Sequence, residues 1–226
     1  MKTILKGIVG SHLHGTATLE SDTDYRGIFI IDPIEIISPF RKQQANSWIE
    51  GSDDNTMYEL THFCKMATQG NPSALEVLVS KDIEATPEGE ELVRMLPHFI
   101  SKKRCFDAFM GYSKNQEKKF RDPKHGNGKG RDVAGDNRKY KYACAHVRTL
   151  YQLMNLLKRG KLSGTYPAGT TDELKLIKAG RKSDGDIMNR IFQLEERCEE
   201  YYKTCTLPEE PNIEAIEDFI SSVYLD

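Results

Sequence analysis

A chain of 226 residues is long enough to bury a sizeable core, as one large domain or two modest ones. With 38% apolar and 29% charged residues it reads as a soluble protein with much exposed surface, and it has no apolar run near the roughly 20 residues that a membrane helix needs. The net charge of −2 excludes a generally basic nucleic-acid coat, but the charge is uneven: ten Lys/Arg face four Asp/Glu between Lys114 and Lys141, and the stretch after Arg190 is acidic.

The first strand is expected over residues 3–9, followed by a short helix at 11–17 and a second strand at 24–31. A third strand lies around 46–50, and a fourth begins near Asp54 and runs towards Tyr58. Leu60, Phe63, Cys64 and Ala67 recur at helical spacing, which predicts a helix over 60–68. Gly70-Asn71-Pro72 breaks it, and Asn71 or Ser73 can cap the next helix through Leu78. Strands first and helices after point to an α/β or α+β unit with a helical second half.

In that second half one helix covers 89–95 and a longer one runs from Pro97 towards Phe120. Residues 122–136 are rich in Gly and charge and read as a solvated loop. Asp136 or Asn137 caps a helix over 138–159, which Gly160 stops. Further helices follow at 171–180, 184–204 and 212–223. The expected organisation is a catalytic domain over 1–97 and a helical region over 98–226 that closes the cleft. Five scattered cysteines (Cys64, Cys105, Cys144, Cys198, Cys205) lack CxxC spacing, which indicates reduced, packed thiols of a cytoplasmic protein. Lys6 interrupts the short apolar start, so no signal peptide is expected.

The chemistry gathers near the N-terminus. Gly10 and Ser11 stand at a strand-to-helix junction, where backbone N–H groups and the helix dipole favour a phosphate. Eleven residues after Ser11 comes Asp22-Thr23-Asp24. Alternate residues of an extended chain point to one side, so both carboxylates can aim at one divalent cation. A phosphate cradle beside paired carboxylates suits phosphoryl or nucleotidyl transfer. His12 and His14 lie about 200° apart on a helix and make a poor metal pair. Arg26 shares the parity of Asp22 and Asp24, and it can reach a phosphate or form an ion pair with a neighbouring carboxylate. Later, Arg138, Lys141 and Arg148 fall on nearly one helix face with the small Cys144 and Ala145 between them. That stripe is either a solvated face or a phosphate grip.

Hydrophobic-Gly-Ser, a spacer and Asp-x-Asp between strands closely resemble the signature of the DNA-polymerase-β-type nucleotidyltransferase superfamily. The stretches Gly15-Thr16-Ala17-Thr18, Ser21-Asp22-x-Asp24-x-Arg26-Gly27 and Tyr58-Glu59-Leu60 through Leu75-Glu76 resemble one bacterial and phage branch, the RNA-repair-pathway polymerase-β-like nucleotidyltransferases. The resemblance implies a short mixed sheet with a helical C-terminal region, and a two-metal mechanism using Mg²⁺ or Mn²⁺ at Asp22 and Asp24. It also implies an NTP substrate, ATP among them, held by Gly10 and Ser11. A third carboxylate comes from a neighbouring strand, with Asp53, Asp54 and Glu59 as candidates and Asp54 preferred for its spacing to the Tyr-x-Leu that follows. The branch carries Lys…His…Arg on a later helix. Lys141 and Arg148 match it, whereas Ala145 stands at the histidine's place with His146 beside it. The expected activity is transfer of an NMP to an acceptor hydroxyl, with an RNA or tRNA 3′ end first. A protein hydroxyl (AMP transfer) and a decayed NTP- or RNA-binding module are the alternatives.

Overall fold

A computed structural model describes residues 1–40, 45–48, 56–122 and 137–225. The chain opens with β1 (Lys2–Ile8), the short α1 (Gly10–Leu13) and β2 (Tyr25–Ile30). After α2 (Pro33–Ile37) come β3 (Asn46–Trp48), β4 (Thr56–Glu59), α3 (Leu60–Thr68), α4 (Pro72–Leu75), a 3-10 turn at Glu76–Val79 and β5 (Lys81–Ala85). Helices then follow without a further described strand: α5 (Pro87–Arg94), α6 (Leu96–Phe99), α7 (Lys102–Arg121), α8 (Asn137–Arg159), α9 (Ala168–Lys178), α10 (Asp184–Thr204) and α11 (Ile213–Leu225).

The five strands form one mixed sheet in the order β3-β4-β2-β1-β5. β1 is antiparallel to β2 and to β5, β3 is antiparallel to β4, and β2 runs parallel to β4 with Arg26 opposite Thr56 and Phe29 opposite Glu59. One face of the sheet carries the main core. Ile4, Leu5 and Ile28 belong to a single buried cluster with Leu60 and Phe63 of α3, Phe109 of α7, Val147 and Leu150 of α8, Leu174 of α9, Leu194 of α10 and Phe219 of α11. That cluster draws residues from both sides of position 97. Each fully buried Leu or Phe contributes about 1.5–3 kcal/mol relative to exposure, so sheet and helices hold one another in place. The other face is thin: Phe29, Ile31 and Met57 form a small cluster against Ile36 of α2. The fold is thus a mixed β-sheet core with flanking and trailing helices, as expected of a polymerase-β-type nucleotidyltransferase.

Several boundaries differ from expectation for identifiable reasons. The first helix ends at Leu13, where His14 caps it and Gly15 adopts φ +66°. The helix expected from Pro97 breaks at Ile100 and Ser101, both extended. There the segment before α11 crosses the break: the Lys102 N–H donates to the Pro208 carbonyl (2.7 Å) and the Asn212 N–H to the His98 carbonyl (2.9 Å). β5 was not expected because it is exposed along its whole length and carries Lys81, Asp82 and Glu84, the composition of a protected edge strand. The loop expected at 122–136 lies, after Asp122, outside the described residues. Among the described residues no helix is long and apolar enough to cross a membrane.

Candidate functional site

The Gly-Ser turn brings one carboxylate of the Asp pair against the backbone. Gly10 has φ +62°, and a Cβ built there would lie 2.3 Å from Oδ2 of Asp24, so only glycine admits the Asp24 side chain at this place. The Val9 N–H donates to the Asp24 carbonyl (2.9 Å), which locks the end of β1 to the start of β2. Asp22 is exposed and Asp24 half-buried, both just before β2 rather than within it. A turn over Thr18–Ser21 sets Asp22: the Thr18 N–H donates to Ser21 Oγ and the Ser21 N–H to the Thr18 carbonyl. His12 Nε2 meets the Ser21 carbonyl at 3.3 Å, which ties this turn to α1. The cap position of α1, Val9, supplies no side-chain acceptor.

Behind the turn lies a buried ionic network that periodicity did not reveal. Glu76, 5% exposed, accepts from His14 Nε2 (2.5 Å) and Arg26 Nη1 (2.7 Å), and Arg148 Nη2 stands 3.9 Å away. Burial alone would raise the Glu76 carboxyl, but Arg148, the His14 hydrogen bond and Arg26 outweigh it and hold the group well below the usual carboxylate range. His14 also meets the Gly164 carbonyl at 2.7 Å through Nδ1. Both of its partners are acceptors, so both contacts are hydrogen bonds only when the ring carries two protons. Burial and then Arg148 push the His14 pKa down, while Glu76 and Gly164 oppose them. Arg26, then, takes the ion-pair alternative that its position on β2 left open.

Lys178 of α9 lies within electrostatic reach of Asp24 and of the α8 cations Lys141 and Arg148. Lys178 is half-buried and donates to the Thr16 carbonyl (3.0 Å). Burial lowers its pKa, and Lys141 and Arg148 add to that, whereas Cys144 and Asp24 pull the other way. These influences place Asp24, Lys141, Cys144 and Arg148 each within electrostatic reach of Lys178. Lys178 was missed in the sequence because it ends an ordinary amphipathic helix and belongs to no motif.

The remaining candidates are placed differently. Glu59 is fully buried at the far end of β4, where its carboxylate caps α3 through the His62 N–H and accepts hydrogen bonds from Thr61 and Tyr224. Asp53 and Asp54 lie outside the described residues. Asp54 precedes Thr56 by two positions, as Asp24 precedes Arg26, the Thr56 partner across the ladder. His146 points away from this neighbourhood: it stands about 200° round α8 from both Cys144 and Arg148. Its side chain is fully buried between α7 and α10, where ligand atoms of Glu117, His146 and Glu195 come within 4.8 Å of one another, close enough to hold one metal ion. Burial lowers the imidazole to about 4, which keeps it neutral at ordinary pH.

Comparison with known proteins adds a family. The model for the family described as RNA repair pathway DNA polymerase beta matches residues 1–207. A protein of Enterobacteria phage T4, named only as an uncharacterized 38.9 kDa protein in the nrdC-mobD intergenic region, is 31% identical over 137 residues. That match takes in 53% of this chain and 39% of the phage protein, so it spans well under half of the relative's length. No solved structure matches the chain.

Proposed function

The chain belongs to the RNA repair pathway DNA polymerase beta family, and from that premise we propose that it transfers an NMP from an NTP to an acceptor hydroxyl on RNA. The observation that carries the reading is the approach of the Asp24 carboxylate to Gly10, with Lys178 within electrostatic reach of it. In this reading residues 1–97 supply the Gly-Ser turn and the acidic pair, and residues 98–226 supply the opposing cations.

Two carboxylates two residues apart are hard oxygen donors of the kind Mg²⁺ or Mn²⁺ takes. Asp22 and Asp24 would hold the ion, with Asp54 as third carboxylate, since Glu59 is engaged as a helix cap. Such an ion neutralises the triphosphate and makes an acceptor hydroxyl easier to deprotonate. Gly10 and Ser11 present backbone N–H groups to the β and γ phosphates. Arg26 and Arg148 carry two positive charges against the single charge of Glu76, so the network retains an excess that draws anions towards the turn. Lys141 and Lys178 add to it and hold the triphosphate while pyrophosphate leaves.

The test is incubation of the full chain with α-labelled NTPs, ATP first, and Mg²⁺ or Mn²⁺, offering RNA with a free 3′ hydroxyl and, separately, protein. Label on the RNA 3′ end is the expected result. Label on protein alone would move the assignment to AMP transfer onto a protein hydroxyl. NTP binding without transfer to either acceptor would make the chain a binding module.

A further inference from the structure

The Glu117–His146–Glu195 cluster stands apart from the proposed transfer chemistry and joins three helices. Glu117 comes from α7, His146 from α8 and Glu195 from α10. The His146 side chain has no exposed surface, yet neither of its ring nitrogens has a hydrogen-bond partner. A buried imidazole without a partner costs about 1–3 kcal/mol, so such a group calls for an explanation. Nε2 faces the Glu195 carboxylate at 4.0 Å, too far for a hydrogen bond and suited to an atom in between.

We propose that Glu117, His146 and Glu195 bind a divalent transition-metal ion of the Zn²⁺ class that clamps α7, α8 and α10 together. One nitrogen and two carboxylate donors form a set that Zn²⁺ uses, with a water completing four-coordination. The ion would neutralise two carboxylates that face one another without a full complement of cations. Arg121 donates to one oxygen of Glu117 at 2.7 Å, and Lys114 acts on Glu195, which Glu117 and Glu199 oppose. The ligand atoms now span up to 4.8 Å, against about 3.4 Å for the edge of a Zn²⁺ tetrahedron. The carboxylates must therefore close by up to about 1.4 Å, and both have the freedom to do so: their side chains are 24% and 25% exposed, which also gives an ion its way in. His146 is the fixed point on which they close.

The test uses the full chain carrying Asp22→Asn and Asp24→Asn, so that the proposed catalytic ions play no part and the outcome is independent of the transfer assignment. After chelator treatment, Zn²⁺ is titrated in by calorimetry, with Co²⁺ as a spectroscopic probe. One Zn²⁺ per chain, a melting temperature raised by several degrees and a visible Co²⁺ band are expected. His146→Gln and Glu195→Gln should each weaken Zn²⁺ at least about 100-fold, beyond what loss of an outer hydrogen-bond partner costs. Glu195→Gln changes only a partly exposed carboxylate and so serves if the His146 variant does not fold. Absence of saturable Zn²⁺ binding, or binding equally tight in both variants, overturns the proposal. So does a site that takes Mg²⁺ in preference to Zn²⁺.

Discussion

The segment from Gly10 to His14 meets a carboxylate at each end, Asp24 at Gly10 and Glu76 at His14, and the two are built in very differently. Glu76 is enclosed, with His14, Arg26 and Arg148 around it, and its charge is compensated within the fold. Asp24 is half-buried and Asp22 is exposed two residues before it. A carboxylate surrounded by cations stabilises the folded chain at the cost of its availability. A carboxylate pair nearer to solvent stays more accessible to an incoming cation. The contrast separates a positioning element from a proposed reacting one inside the same few residues.

The largest effect should come from breaking the exposed pair. Asp22→Asn with Asp24→Asn is expected to reduce transfer at least about 10³-fold, equivalent to ~4 kcal/mol of transition-state stabilisation. Its melting temperature should change little, since Asp22 is exposed and Asp24 only half-buried. Labelled-NTP transfer and thermal denaturation measure the two halves. Full transfer by this variant would sink the assignment of the pair.

Opening the enclosed carboxylate should instead attack the fold. Glu76→Gln keeps the shape but leaves Arg26 and Arg148 without their counter-charge, and removing one partner of a buried pair costs about 3–5 kcal/mol. Urea denaturation reads this directly. The pH dependence follows from the depressed Glu76 pKa. Its contribution is complete above the ordinary carboxylate value of 4.5 and is lost as pH falls through the lower folded-state value. Wild type should therefore lose stability on acidification below about pH 4.5, whereas the Gln variant should show a smaller dependence over that range.

A smaller effect should distinguish the lysines of α8 and α9. Lys141→Ala and Lys178→Ala are each expected to raise the NTP KM about 5–10-fold, roughly 1–1.4 kcal/mol, with kcat changed far less. The effect should shrink at high salt, since the charges are partly exposed. A change confined to kcat, insensitive to salt, would show that these lysines do not grip the triphosphate.

How far the sequence reaches is plain from particular residues. The helices at 60–68 and 184–204 were legible to the residue, because their apolar spacing coincides with capping groups: Glu59 accepts from the His62 N–H and Ser183 from the Asp186 N–H. The strand-to-helix junction at Gly10 and Ser11 was legible because it is local. What could not be read is long-range. His14 and Glu76 are 62 positions apart, and Lys178 reaches Thr16 across 162. No periodicity marks either. The break between α6 and α7 depends on Pro208 and Asn212, about a hundred residues on, and the exposed β5 lacks the alternation that betrays a half-buried strand.

The smallest change bears on which carboxylate completes the acidic group. Tyr224 of α11 donates to Glu59, and burial and then the Glu59 hydrogen bond raise the phenol pKa, so it stays a proton donor throughout the working range. Tyr224→Phe removes that bond and little else. It should cost about 1–2 kcal/mol of stability, the value of a hydrogen bond to a charged group, and leave transfer within about twofold, a change worth under ~0.5 kcal/mol. If Glu59 instead joined Asp22 and Asp24 around a cation, freeing its oxygen from Tyr224 would alter the metal dependence of transfer. A shifted Mg²⁺ requirement in Tyr224→Phe, at unchanged stability, would thus return Glu59 to the site and displace Asp54 from it.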